Sequence, residues 1–130
     1  MSVSHGDLKK RKRTGGRRHT YRVKRKFEKG SFPAETALGE TKKKSSRGRG
    51  NNVKRKVLAD KYACVTDTKT GKTEKVEILR VARNPANIDY NRRGVITKGA
   101  IVETPKGLAR VTSRPGQQGV INAVLVKEEK

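Results

Sequence analysis

The 130-residue chain carries 34 Lys and Arg against 12 Asp and Glu, a net charge of +22. Self-repulsion on that scale opposes compaction, so a polyanionic partner is expected, and nucleic acid offers closely spaced phosphates whose neutralisation releases counterions. No apolar run nears the ~20 residues of a membrane span, and Met1–Asp7 leads into Lys9–Arg13 rather than an apolar stretch; a soluble, intracellular chain with no membrane partner is expected.

The charge is unevenly spread. Residues 1–56 hold 20 of the 34 basic residues but only 11 apolar ones, whereas residues 57–130 hold 29 apolar residues. Only the second part can bury enough surface to offset the entropy of ordering. Because Val53–Lys56 is positioned to open a first strand, the expected division is a basic arm over residues 1–52 and a β-domain over residues 53–130.

The arm shows no sustained helical or strand period. Its cations are Lys9, Lys10, Arg11, Lys12 and Arg13, then Arg17 and Arg18, then Arg22 with Lys24, Arg25 and Lys26. Lys42, Lys43 and Lys44 follow, then Arg47 and Arg49, and Lys54, Arg55 and Lys56 at the margin. Glycines interrupt these clusters, letting the backbone approach a phosphate and turn sharply. His19 beside Arg17-Arg18 reads either as a donor to RNA or as a solvated side chain. Tyr21, Phe27 and Phe32 alternate with basic residues; they could stack on unpaired bases or anchor the arm on protein.

Beyond the arm the signal is β. The run Val57–Thr66 is rich in β-branched and apolar residues, and Asp67–Lys72 supplies turn chemistry. Val76 and Ile78 alternate with charged residues, as in a strand with one wet face. Asn84-Pro85-Ala86-Asn87 breaks the pattern, and Asn87–Arg93 predicts a helical turn before Gly94. Val95-Ile96, Ala100–Val102, Leu108–Val111 and Val120–Val126 follow, separated by the Pro- and Gly-containing segments Thr104–Gly107 and Arg114–Gly119. Five or six short strands at this spacing predict a mainly β fold, a small antiparallel barrel-like domain with a long, irregular basic N-terminal extension. Arg92, Arg93, Lys98 and Arg114 lie in or beside turns, where side chains are free to meet phosphate.

Catalytic chemistry is hard to assemble. The two histidines, His5 and His19, sit among charges far from the single cysteine, Cys64. Cys64 lies in an apolar run and reads as a buried small hydrophobe. The Cys, His and carboxylate residues offer no set of about four zinc ligands, so no metal, no cofactor and no enzymatic activity are expected. Gly71-Lys72-Thr73 lacks the glycine five residues upstream that a phosphate-binding loop requires. A DNA-binding architectural protein would more often bring a groove-reading helix or a β-ribbon with dimeric symmetry, and the sequence announces neither.

Several stretches carry a resemblance. Thr14-Gly15-Gly16-Arg17, Lys24–Gly30, Pro33-Ala34-Glu35-Thr36, Asn84–Asn87, Arg92–Ala100 and, most specifically, Val111–Leu125 occur in one order. On these blocks the chain resembles the archaeal version of the e-type small-subunit ribosomal protein family numbered eight. The resemblance implies a β-barrel-like body bound to small-subunit (16S-type) rRNA, extensions among RNA helices, neighbouring small-subunit ribosomal proteins as partners, and a non-catalytic monomer within the cytoplasmic ribosome. Ser2–Lys12 departs from the family's form, so no contact is inferred there. The chain also lacks the insert of the eukaryotic members.

Overall fold

A computed structural model describes residues 10–126; the sequence expectations for His5 and Lys9 lie outside them. The chain falls into two compact units divided between Pro33 and Ala34.

In the first unit, residues 11–17 form a tight hairpin-like turn. Arg11 and Arg17 make an antiparallel bridge, Lys12 N–H donates to Gly16 O at 3.0 Å, and Gly15 N–H donates to Lys12 O at 3.0 Å. This is a three-residue loop closed by a glycine, a form that the Thr14-Gly15-Gly16 sequence supplies. A single 3-10 turn follows at Lys26–Glu28.

The second unit holds two sheets. The smaller has the order β1-β3-β2, with β1 at Ala37–Leu38, β2 at Lys42–Arg47 and β3 at Val53–Asp60. The larger runs β5-β4-β9-β8-β7-β6 and curls into a half-barrel. Its strands are β4 (Tyr62–Thr66), β5 (Thr73–Glu77), β6 (Arg80–Arg83), β7 (Ile101–Thr104), β8 (Gly107–Val111) and β9 (Asn122–Leu125). Two short helices, α1 (Ile88–Arg93) and α2 (Pro115–Gln118), sit in connections.

Two expectations are corrected. The fold is not purely antiparallel, since β4 pairs with β9 and β1 with β3 in parallel. Parallel neighbours need a long crossover, and the whole β5–β8 stretch lies between β4 and β9. The apolar run Val57–Thr66 forms two strands, because the chain bends at Lys61. The carboxylate of the buried Asp60 holds that bend, accepting from Tyr62 N–H at 3.2 Å and from the Thr41 hydroxyl at 3.0 Å. Strand structure also begins before Asn52, for Thr36–Arg47 adds β1 and β2 to the second unit. Repetition of lysine and serine hid β2, which carries no apolar side chain at all.

The inner face of the curled sheet is the core. Ala63 and Val65, Val102, Ala109 and Val111, and Ala123 are buried by strict alternation along their strands, and Ile78, Ile96 and Ile121 close over them. The three alanines on inner strand positions leave room for a tight curl, as small residues do inside narrow barrels. The same alternation puts Cys64 on the other side from Ala63 and Val65, and it is only half-buried. The predicted turn at Asn87–Arg93 is α1, with the Asn87 side chain accepting from Asp89 N–H at 2.9 Å and Gly94 closing the C-terminus.

Candidate nucleic-acid interface

The strongest concentration of charge in the second unit is the β2–β3 hairpin. Between Lys42 and Lys56 there are eight cations and no acid. Their register is Lys43 opposite Val57, Lys44 opposite Lys56, Ser45 opposite Arg55, Ser46 opposite Lys54 and Arg47 opposite Val53. Directly opposed residues share a face, and Val57 is fully buried. The Val57 side therefore carries Lys43, Ser45, Arg47 and Arg55, and the opposite side carries Lys44, Ser46, Lys54 and Lys56. Lys42 stands across from Ala59, beyond a bulge at Lys42/Lys43.

The hairpin tip is fixed by the backbone. Gly48 N–H donates to Asn52 O at 2.6 Å, the Asn52 side-chain amide donates to Arg49 O at 2.8 Å, and Gly50 and Asn51 both adopt positive φ. Asparagine tolerates that region better than most residues. Arg47 and Arg49 thus flank a defined turn rather than a floppy linker.

Lys44 stands directly across from Lys56, which concentrates like charge on that side of the ribbon. The larger sheet and α1 carry ion pairs of their own: Arg80 with Glu103, Lys106 with Glu74, Arg92 with Asp89, and Arg93 with Asp89 and Glu35. A two-stranded ribbon, which the sequence did not announce, is present, and its surface suits a run of phosphates. Lysine ammoniums and serine hydroxyls meet phosphate oxygens and ribose hydroxyls without reading a base.

The remaining predicted residues divide by surroundings. Lys10, Arg11, Lys12, Arg13, Arg17, Arg18 and His19 are all exposed along the tight turn and after it. Arg11 Nη1 donates to Gly15 O at 3.0 Å and braces the turn.

Arg22 is engaged within its own unit. Its guanidinium forks onto Glu28, with Nη1 to Oε2 at 2.7 Å and Nη2 to Oε1 at 2.5 Å, while Nε donates to the Tyr21 hydroxyl at 2.7 Å. Arg25 N–H adds a bond to Glu28 Oε2 at 3.0 Å. The Arg22 hydrogen bond, followed by the Arg25 amide, holds the Glu28 carboxyl below its usual range. Glu28 also raises the Arg22 pKa. This pairing ties Tyr21–Glu28 into a loop, which presents Arg25 outward. Lys24 is half-buried in the same loop, and Lys26 opens the 3-10 turn. Tyr21, Phe27 and Phe32 are 88, 66 and 64% exposed, and the Arg22 guanidinium lies 5.0 Å from the Tyr21 ring centroid.

Arg93 likewise has a structural partner: Nη1 and Nη2 reach Glu35 at 2.6 and 3.1 Å, and the guanidinium lies 5.5 Å from the Tyr90 ring centroid. Its fork lowers the Glu35 pKa and raises its own. Arg92 reaches Asp89 at 3.1 Å but stays largely exposed. Lys98 and Arg114 are exposed, and no ion pair among the described residues involves them. Among the exposed cations that the candidate set left out are Arg83 and Arg110, and the signal that could have found Arg110 is the inside–outside alternation around β8. Among the described residues no group of three or more His, Cys, Asp or Glu converges as a metal site, and no helix is long and apolar enough to cross a membrane.

The sequence profile of the family described as "Ribosomal protein S8e" matches residues 5–126. A protein named "Small ribosomal subunit protein eS8" from Methanocorpusculum labreanum is 52% identical over 117 residues, covering 90% of this chain and 94% of its own length. Proteins of the same name from Sulfurisphaera tokodaii and Methanobrevibacter smithii are 49 and 48% identical, covering 91 and 97% of this chain and 93 and 100% of their own lengths. With a family match across nearly its whole length and archaeal relatives at about half identity, the chain belongs to the ribosomal protein S8e family.

Proposed function

We propose that this chain is a non-catalytic structural constituent of the small ribosomal subunit, in the cytoplasm, that binds and stabilises small-subunit rRNA through its β2–β3 hairpin and its basic N-terminal segment. The observation that carries this reading is the hairpin, eight cations on a defined ribbon with no internal acid. Membership of a ribosomal family supports RNA as the polyanion. The N-terminal segment acts as an extension that follows rRNA, with Lys9 to Arg18, His19, Arg25 and Lys26 toward phosphate and Tyr21 and Phe27 toward unpaired bases. Arg22 and Arg93 shape the contact surfaces from within. Neighbouring small-subunit proteins are the remaining partners, and the chain acts as a monomer there.

A two-stranded ribbon also fits the major groove of duplex DNA, so the test includes that competitor. Binding to small-subunit rRNA should be tight at low salt and fall with a log–log slope of about 0.7–0.9 per phosphate contact. Duplex DNA of equal length should compete poorly, and tagged protein should sediment with small subunits. Affinity flat across ~50–200 mM salt, or preference for DNA, would overturn the reading.

A further inference from the structure

From Ala109 to Pro115 the side chains alternate without a break: Ala109, Val111, Ser113 and Pro115 are buried, and Arg110, Thr112 and Arg114 are exposed. The alternation outlasts β8 because the backbone stays extended and bonded. Thr112 N–H donates to Asn122 O at 2.9 Å, and Arg114 has φ −106° and ψ 94°. Arg110, Thr112 and Arg114 therefore stand in one line on the outer face, about 7 Å apart, as alternate residues of a strand do. Successive phosphates along an RNA strand have a comparable separation.

Two further cations flank this line. Arg83 of β6 and Arg110 of β8 both pair in register with Ile101 of β7, one from each side. They share its outer face with Cα atoms roughly 10 Å apart, two strand spacings. Lys98 lines one shallow groove together with Arg110 and Thr112. Glu103, the acid that β7 presents on that face, is already held by Arg80. None of Arg83, Lys98, Arg110 and Arg114 enters an ion pair among the described residues.

We infer that Arg110, Thr112 and Arg114, flanked by Arg83 and Lys98, form a second rRNA contact, a phosphate track separate from the hairpin that takes an RNA backbone segment. This rests on the rRNA-binding reading above. Guanidinium forks match phosphate oxygens two bonds at a time, and the line carries no aromatic ring on which a base would stack. The track therefore reads position along a backbone and not sequence. With the hairpin on one RNA segment and the track on another, the body joins two parts of the rRNA.

The test uses the full chain and naked small-subunit rRNA. Arg110→Gln/Arg114→Gln should lower the log–log salt slope by about 1–2, two contacts at roughly 0.7–0.9 each, and leave the melting temperature unchanged. Lys44→Gln/Lys54→Gln in the hairpin should lower it by a similar amount, and the two losses should add. In assembled subunits, a photo-cross-linking residue at Thr112 should capture rRNA at a segment different from the one captured from Ser45. A wild-type slope in the Arg110/Arg114 variant, or cross-links from Thr112 to protein only, would overturn the track. If the hairpin variant behaves as expected while the Arg110/Arg114 variant does not, the track alone fails. If the wild-type chain shows no salt-dependent affinity for rRNA, both readings fail together.

Discussion

A β-carbon on Gly119 would stand 2.8 Å from the β-carbon of Arg55, and Gly119 itself holds φ +78°. The glycine that ends α2 is thus the point on which the basic hairpin rests. A β-carbon on Gly116, one turn earlier, would stand 3.2 Å from the Ala34 β-carbon. The Arg114–Gly119 segment packs closely on β3 at Arg55.

Gly119→Ala should therefore cost more than its conformation alone. Left-handed backbone costs an L-residue about 1–2 kcal/mol, and the Arg55 β-carbon, fixed to its strand, cannot swing clear. Gly71→Ala supplies the comparison, since Gly71 has φ +70° with nothing within 4 Å of an added β-carbon. Denaturant melts should show the Gly119 variant losing at least ~1 kcal/mol more than the Gly71 variant, the typical size of an overpacking term. Equal losses would mean that α2 does not seat the hairpin.

The sequence was legible where apolar residues alternate. Val111 sits between Arg110 and Thr112, Val76 and Ile78 alternate with charged residues, and Asn87 with Gly94 marks both ends of α1. It was illegible at Lys42–Arg47, whose strand nature comes from hydrogen bonding to β3 and not from any burial of its own. Arg22 and Arg93 were read as phosphate ligands because a chain with so few acids hides which ones are spoken for. Glu35 lies 58 residues from Arg93, and only the fold brings them together. Arg110 was passed over because it stands within an apolar run instead of a basic cluster.

Thr36 should prove a structural residue despite its place near the basic segment. It is completely buried, its hydroxyl donates to Val57 O at 2.8 Å, and its own carbonyl accepts from Ile96 N–H at 2.8 Å. Thr36→Val keeps the volume and removes the hydroxyl, depriving the buried carbonyl of that donor at a cost of about 1–3 kcal/mol. In a unit of this size each kcal/mol lowers the melting temperature by roughly 4–8 °C. A melting temperature within a degree or two of wild type would show that Val57 O finds another donor.

The Arg22–Glu28 fork predicts a pH dependence confined to the acid side. The Glu28 carboxyl is depressed below its ordinary 4.5 by Arg22 and the Arg25 amide. A group depressed in the ordered state contributes order above its ordinary value, and that contribution is lost as pH falls through the lowered one. The Arg25 amide resonance should hold steady above pH 4.5, shift in a single step below it, and lose that step in Glu28→Gln. An Arg25 amide indifferent to acid would mean that the fork does not persist in solution.

Two truncations test where the second unit begins. Removing residues 1–33 takes no strand from the second unit, which begins at Ala34. Removing residues 1–52, the division that composition alone suggests, strips β1 and β2 from both edges of β3. It also deletes Thr36, and with it the donor to Val57 O and the acceptor for Ile96 N–H. Those two buried bonds alone are worth about 1–3 kcal/mol each when one partner is left behind, a large share of the stability of so small a core. The 34–130 piece should give dispersed β-type NMR signals and bind rRNA through the eight hairpin cations, with a shallower salt slope than the full chain. The 53–130 piece should melt far lower or fail to fold. If it proved as stable as 34–130, β1, β2 and Thr36 would be attachments to the body; if 34–130 kept the full salt slope, the N-terminal segment would carry none of the phosphate contacts assigned to it.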